Sequence, residues 1–205
     1  MIGLDEIKRQ YTYEYADRFA FEDDEDRHLW LNEDVTDDLI NTFVYSIFRY
    51  NKLDKDVPPE KRKPIIIYIN TPGGSVSACF SLIDAINTSK TPIYTVNLSC
   101  CYSAGFLIFI SGHQRYALPN STFLMHDGSS GAFWESSSKL RDRITFEEEQ
   151  VDLRIRHHIA KNSNITDEFY DEQYRVEWYF YPEEAKQYEM VDYIVGTDCS
   201  VDDIL

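Results

Sequence analysis

Apolar positions along this chain fall into two patterns: short continuous β-branched runs, and longer stretches with a period near 3.6 residues. His28-Leu29-Trp30-Leu31 reads as a short strand. Leu39, Ile40, Phe43, Val44, Ile47 and Phe48 form one face of a helix, with Thr36 placed to cap it. Asn51 to Lys63, with Pro58-Pro59 and many charges, reads as a surface loop. Pro64 to Asn70 is almost entirely apolar, the pattern of a strand buried on both faces of a parallel sheet. Thr71-Pro72-Gly73-Gly74 is a turn, and Ser75 to Asn87 a helix.

The alternation continues. Ile93 to Leu98 is a second buried strand, and Ser103 to Ile110 a short helix. Arg115 to Leu118 and Thr122 to Met125 are strands. Ser137 to Lys161 is a long charged helix with a stripe of Leu140, Ile144, Val151, Ile155 and Ile159. Pro182-Glu183-Glu184 starts a helix, because proline suits the first helical position and acids suit the positive dipole end. Val191 to Val195 closes the chain's core with a strand. This β-α-β-α order predicts an α/β fold with a mostly parallel sheet.

Composition narrows the function classes. A length of 205 residues with 43% hydrophobic content suits one domain, 1–205, with a real core. The net charge of −16 repels a phosphate backbone and argues against a nucleic-acid partner. The acidic run Glu22 to Asp26 reads as a solvated turn. Cys79, Cys100, Cys101 and Cys199 lack C-x-x-C spacing, so reduced thiols of a cytoplasmic protein fit better than disulfides or a zinc site. No apolar run approaches the roughly 18 residues that span a bilayer, so no membrane association is expected. His157-His158, in the charged helix, reads as surface.

Three local features carry candidate chemistry. Gly73-Gly74 lies between a buried strand and a helix, where glycines allow close backbone approach and aim N–H groups at a ligand, although most such pairs are merely tight turns. Ser103 lies between a buried strand and an apolar helix. It is either an N-cap or a nucleophile beside N–H groups that favour an oxyanion. His126 ends the strand Phe123-Leu124-Met125, where open α/β sheets place functional side chains. An alcohol, a base and N–H donors are together what acyl transfer needs.

At these residues the sequence resembles the ClpP-type serine peptidases of the ClpP/crotonase superfamily. The resemblance rests on Thr71-Pro72-Gly73-Gly74-Ser75-Val76, Tyr102-Ser103-Ala104-Gly105, Ala117-Leu118-Pro119-Asn120 before Met125-His126, and Pro182 to Tyr188 followed by Val191-Asp192. It implies repeated β-β-α units in a superhelix, with a protruding handle at about 127–162. Ser103 would be the nucleophile, His126 its base, and the backbone N–H groups of Gly74 and Ala104 the oxyanion hole. Counting back from Glu184-Ala185 puts the triad acid on Glu177, with Asp171 and Glu172 as alternatives. No metal or cofactor is implied. Implied partners are peptides or unfolded polypeptides, further copies in a heptameric ring, and a Clp-type ATP-dependent unfoldase. A non-catalytic subunit assembling with an active paralogue is the other reading.

Departures from the family pattern are specific. The N-terminal segment 1–27 does not match the family's axial loop. Arg175 and Val176 stand where the family has an Asp-Arg pair for contacts between rings. Glu189 replaces a glycine expected just past the last helix, where positive φ is common.

Overall fold

The two β-branched runs pair with each other, and that pairing sets the fold. In a computed structural model that describes residues 24, 26–127, 136–173 and 176–204, strand β2 (Ile65–Thr71) lies parallel to β3 (Ile93–Tyr102), with Ile65 opposite Ile93 and Ile69 opposite Asn97. Strand β1 (His28–Leu31) joins the outer side of β2, again in parallel. Alternate residues of β2 serve different layers, as the period of two requires. Ile65, Ile67 and Ile69 enter the main core, while Ile66 and Tyr68 join a smaller cluster with Val96, Tyr116 and Ile204. Both faces are thus covered, which is why the run lacks polar alternation.

Strand β3 is longer than its apolar run predicts, because it changes neighbours midway. Tyr94 to Asn97 pair with β4 (Gln114–Ala117), and Cys100 to Tyr102 pair with β5 (Thr122–Met125), both in parallel. Strand β7 (Tyr193–Ile194) adds to β4, and β6 (Trp178–Phe180) adds to β5 as an antiparallel edge. Among the described residues, seven strands form one mostly parallel sheet. The α/β class expected from the alternation holds.

Helices α1 (Tyr45–Leu53) and α2 (Val76–Thr88) pack on the main core, α1 entering through a π-helical turn at Ile40–Val44. Thr36 does face the start of this helix: its Oγ1 accepts from the Asp38 N–H at 3.4 Å. Leu39, Phe43, Ile47 and Tyr50 are buried, but Ile40 and Phe48 remain 43% and 59% exposed, so the apolar face is wider than its contact. Asn51, expected in a loop, instead closes the last turn of α1. Its Nδ2 donates to Ser89 Oγ at 2.7 Å and its Oδ1 accepts from the Lys90 N–H at 2.9 Å. Helix α3 (Ala104–Phe109) is buried on every side.

The long charged helix is two helices, α4 (Ser137–Phe146) and α5 (Asp152–Lys161), joined by a π-helical turn at Glu147–Val151. Ile144 and Phe146 are exposed, whereas Ile155 and Ile159 are buried, so the stripe meets the body only beyond the π turn. His157 is exposed as expected, but His158 is not a surface residue. Its Nε2 lies 3.0 Å from the Leu107 carbonyl and 3.3 Å from Ser111 Oγ. Burial pushes the His158 imidazole down from its ordinary range, so it is held neutral, with Nε2–H donating to Leu107. Helices α6 (Asp167–Gln173) and α7 (Pro182–Gln187) flank β6. Segments 1–23 and 128–135, and positions 25, 174–175 including Arg175, and 205, lie outside the described residues.

Candidate active site

Ser103 is one of three described non-glycine residues with a positive φ. It joins the end of β3 to α3 at φ 53° and ψ −120°, a conformation that side chains rarely adopt. Such a residue costs on the order of 1–3 kcal/mol and persists only where its surroundings over-determine it. Here they do: the Ser103 N–H donates to the Leu124 carbonyl at 2.9 Å, and all six residues of α3 behind it are buried. The N-cap explanation for this serine fails, since its side chain makes no capping hydrogen bond. The hydroxyl is left at the carboxyl end of a parallel strand with no structural task of that kind.

The glycine turn packs against this elbow. A Cβ on Gly73 would lie 2.7 Å from the Tyr102 carbonyl, 2.8 Å from Ser103 Cβ and 3.1 Å from the Ala104 nitrogen. The φ angles of Gly73 and Gly74 are 101° and 147°. Glycine is therefore required here both by space and by backbone angle. The turn is held from the other side by Val35, whose N–H donates to the Gly73 carbonyl at 2.8 Å and whose carbonyl accepts from Ser75 at 2.7 Å. In a trans peptide the carbonyl of one residue and the N–H of the next point in opposite directions, so the Gly74 N–H points away from Val35. Among the described residues, neither this N–H nor that of Ala104 has a backbone acceptor outside its own helix or strand. Val35 was not legible as part of this site, because nothing local marks it.

His126 follows the last residue of β5 and is half-buried. Tyr102 pairs with Leu124, so Ser103 and His126 emerge at the same end of neighbouring parallel strands. The antiparallel register runs Phe123–Phe180, Leu124–Tyr179 and Met125–Trp178, and His126 and Glu177 are the next residues beyond its end. Glu177 is exposed, and one of its oxygens, Oε2, accepts from the Tyr179 hydroxyl at 3.3 Å. Among the described residues Ser103 and His126 are not hydrogen bonded to each other. Of the alternative acids, Asp171 is tied to Arg156 at 2.6 Å on α6, and Glu172 is exposed on the same helix.

Competing nucleophiles are weak. Burial pushes the Cys79 and Cys101 thiols well up, and that of Cys100 up as well, so none has thiolate character. All four cysteines are free, as expected. No group of metal-ligating side chains occurs among the described residues, and no helix among them is long and apolar enough to cross a membrane.

A mostly parallel sheet, with a strained serine at a strand–helix elbow, a glycine turn packed against it and a histidine just past the end of the next strand, defines an α/β protein. The family model for Clp protease matches residues 14–198, and the chain belongs to that family. It is 33% identical over 109 residues, about half of each chain at 52%, to the ATP-dependent Clp protease proteolytic subunit 2 of Treponema pallidum. Over 177 residues, 83% of each chain, it is 28% identical to the ATP-dependent Clp protease proteolytic subunit 2 of Prochlorococcus marinus subsp. pastoris. The ATP-dependent Clp protease proteolytic subunit of Streptococcus sanguinis is 28% identical over 174 residues, 83% of this chain and 85% of that one.

Proposed function

We propose that this chain is a serine endopeptidase that cleaves peptides and unfolded polypeptides inside an oligomeric chamber, supplied by an ATP-dependent unfoldase. The observation that carries the reading is Ser103: a strained backbone, no capping role, and a glycine turn within contact distance. Ser103 Oγ attacks the scissile carbonyl as His126 takes its proton. His126 then returns that proton to the leaving amine. The N–H groups of Gly74 and Ala104 hold the oxyanion, and Glu177 fixes the imidazole tautomer and stabilises the imidazolium. Water completes the cycle by the same route.

Family membership, and relatives named as proteolytic subunits of ATP-dependent proteases, support the proposal of a ring and an unfoldase. A non-catalytic subunit is the second reading. The observation that favours it is that, among the described residues, Ser103 and His126 are not hydrogen bonded to each other. Fluorophosphonate labelling separates the two. Covalent labelling of the wild type that disappears in Ser103→Ala, with the fold intact by circular dichroism, supports the peptidase. A chain that folds and assembles but takes no label is the non-catalytic subunit.

A further inference from the structure

The triad acid proposed above is a glutamate, and its carboxylate is not free: Oε2 accepts a hydrogen bond from the Tyr179 hydroxyl. We propose that Tyr179 is a positioning residue that holds Glu177 against His126, an inference that rests on the serine-peptidase reading. Glu177 and Tyr179 are two residues apart across an edge strand and so share one face of the sheet. The β5/β6 register ends one residue short of Glu177, with Met125 opposite Trp178, and continuing it by one step would bring His126 opposite Glu177.

The phenol is itself anchored beside the nucleophile. The Tyr179 ring meets the Tyr102 ring edge-on, with centroids 5.7 Å apart and planes at 88°. Tyr102 immediately precedes Ser103, and its hydroxyl lies 2.9 Å from Thr122 Oγ1. Strand β3, which ends at Tyr102, thus sets the height of the phenol over the sheet.

A glutamate has one more rotatable bond than an aspartate, so its carboxylate needs an outside contact to keep a single orientation. Tyr179 supplies that contact through one oxygen and leaves the other, Oε1, for the His126 Nδ1–H. Desolvation, then the charge of Glu177 and the hydrogen bond to it, push the Tyr179 phenol above its ordinary range. The phenol therefore remains a donor at any pH where His126 works as a neutral base.

A double-mutant cycle on the full assembled chain, read with a fluorogenic peptide, tests this. Tyr179→Phe keeps the ring on Tyr102 and removes only the hydroxyl. The expected result is a fall in kcat of roughly tenfold at unchanged KM, the size of one hydrogen bond to a charged group. In a Glu177→Gln background the same change should alter kcat by less than about twofold, because the two residues act as one unit. An equal fall in both backgrounds, a rise in KM instead, or no change at all overturns the positioning role. Labelling of Ser103 in wild type keeps the failures apart. Labelling with an additive cycle removes Tyr179 alone, whereas a wild type that takes no label removes the catalytic reading and this inference together.

Discussion

The Cβ that an alanine would carry at position 73 falls 2.8 Å from the Cβ of Ser103. Real Cβ atoms do not approach so closely, and the φ of 101° adds backbone strain. Neither neighbour can yield, since Tyr102 is in the sheet and Ser103 is already distorted. Gly73→Ala is expected to destabilise the fold by about 2 kcal/mol. It should also lower kcat/KM by about a hundredfold through displacement of the elbow. Urea denaturation and peptide hydrolysis measure the two effects, and wild-type values in both would remove the proposed close packing.

Ser103→Ala and Ser103→Gly should both abolish peptide hydrolysis, yet differ in stability. Glycine adopts φ 53° without a Cβ penalty, whereas alanine inherits the strain of the serine. The glycine variant should be more stable than the alanine variant by about 1 kcal/mol. Equal denaturation midpoints would argue that the elbow stores no strain.

On the proposed triad, Glu177→Gln would preserve shape while removing the charge that stabilises the imidazolium, and kcat should fall by roughly three to four orders of magnitude. Asp171→Asn should leave kcat unchanged, because that carboxylate serves Arg156. A reversed pattern would move the acid role to α6.

His158 provides a pH prediction. Burial lowers its pKa in the folded chain, opposed by the Leu107 hydrogen bond and by Asp84, and helped by Lys161 and His157. His113 is shifted the same way by burial, against its backbone hydrogen bond. Below the unfolded value of about 6.5 the unfolded chain binds more protons than the folded one, so stability falls with pH there and is fully present above it. Urea midpoints should drop between pH 7.5 and pH 5.5. His158→Leu should reduce that drop; an unchanged slope would assign it elsewhere.

Glu189 follows α7 at φ 57°, the left-handed position where a glycine is usual. Glu189→Gly is therefore expected to raise stability by about 0.5–1 kcal/mol, measured by thermal unfolding. A loss of stability would show that the Glu189 side chain makes a contact outweighing the strain.

Local sequence determined the pieces of this protein. The β-branched run at Ile65–Ile69, the apolar helix after Ser103, the glycine turn and the proline-led helix at Pro182 are all legible because side-chain period and backbone preference act over a few residues. The positive φ at Glu189 was legible for the same reason, as a glycine position occupied by another residue. Tertiary structure decided the rest. Strand β3 extends past Leu98 because β5 becomes its partner, and His158 is buried because α3 supplies the Leu107 carbonyl. Val35 clamps Gly74 from about forty residues away in the chain. The register that sets Met125 opposite Trp178, and so brings His126 and Glu177 to the same end of the sheet, joins strands about fifty residues apart. Such pairings depend on which edges remain open once the core has packed, and no window of neighbouring residues carries that information.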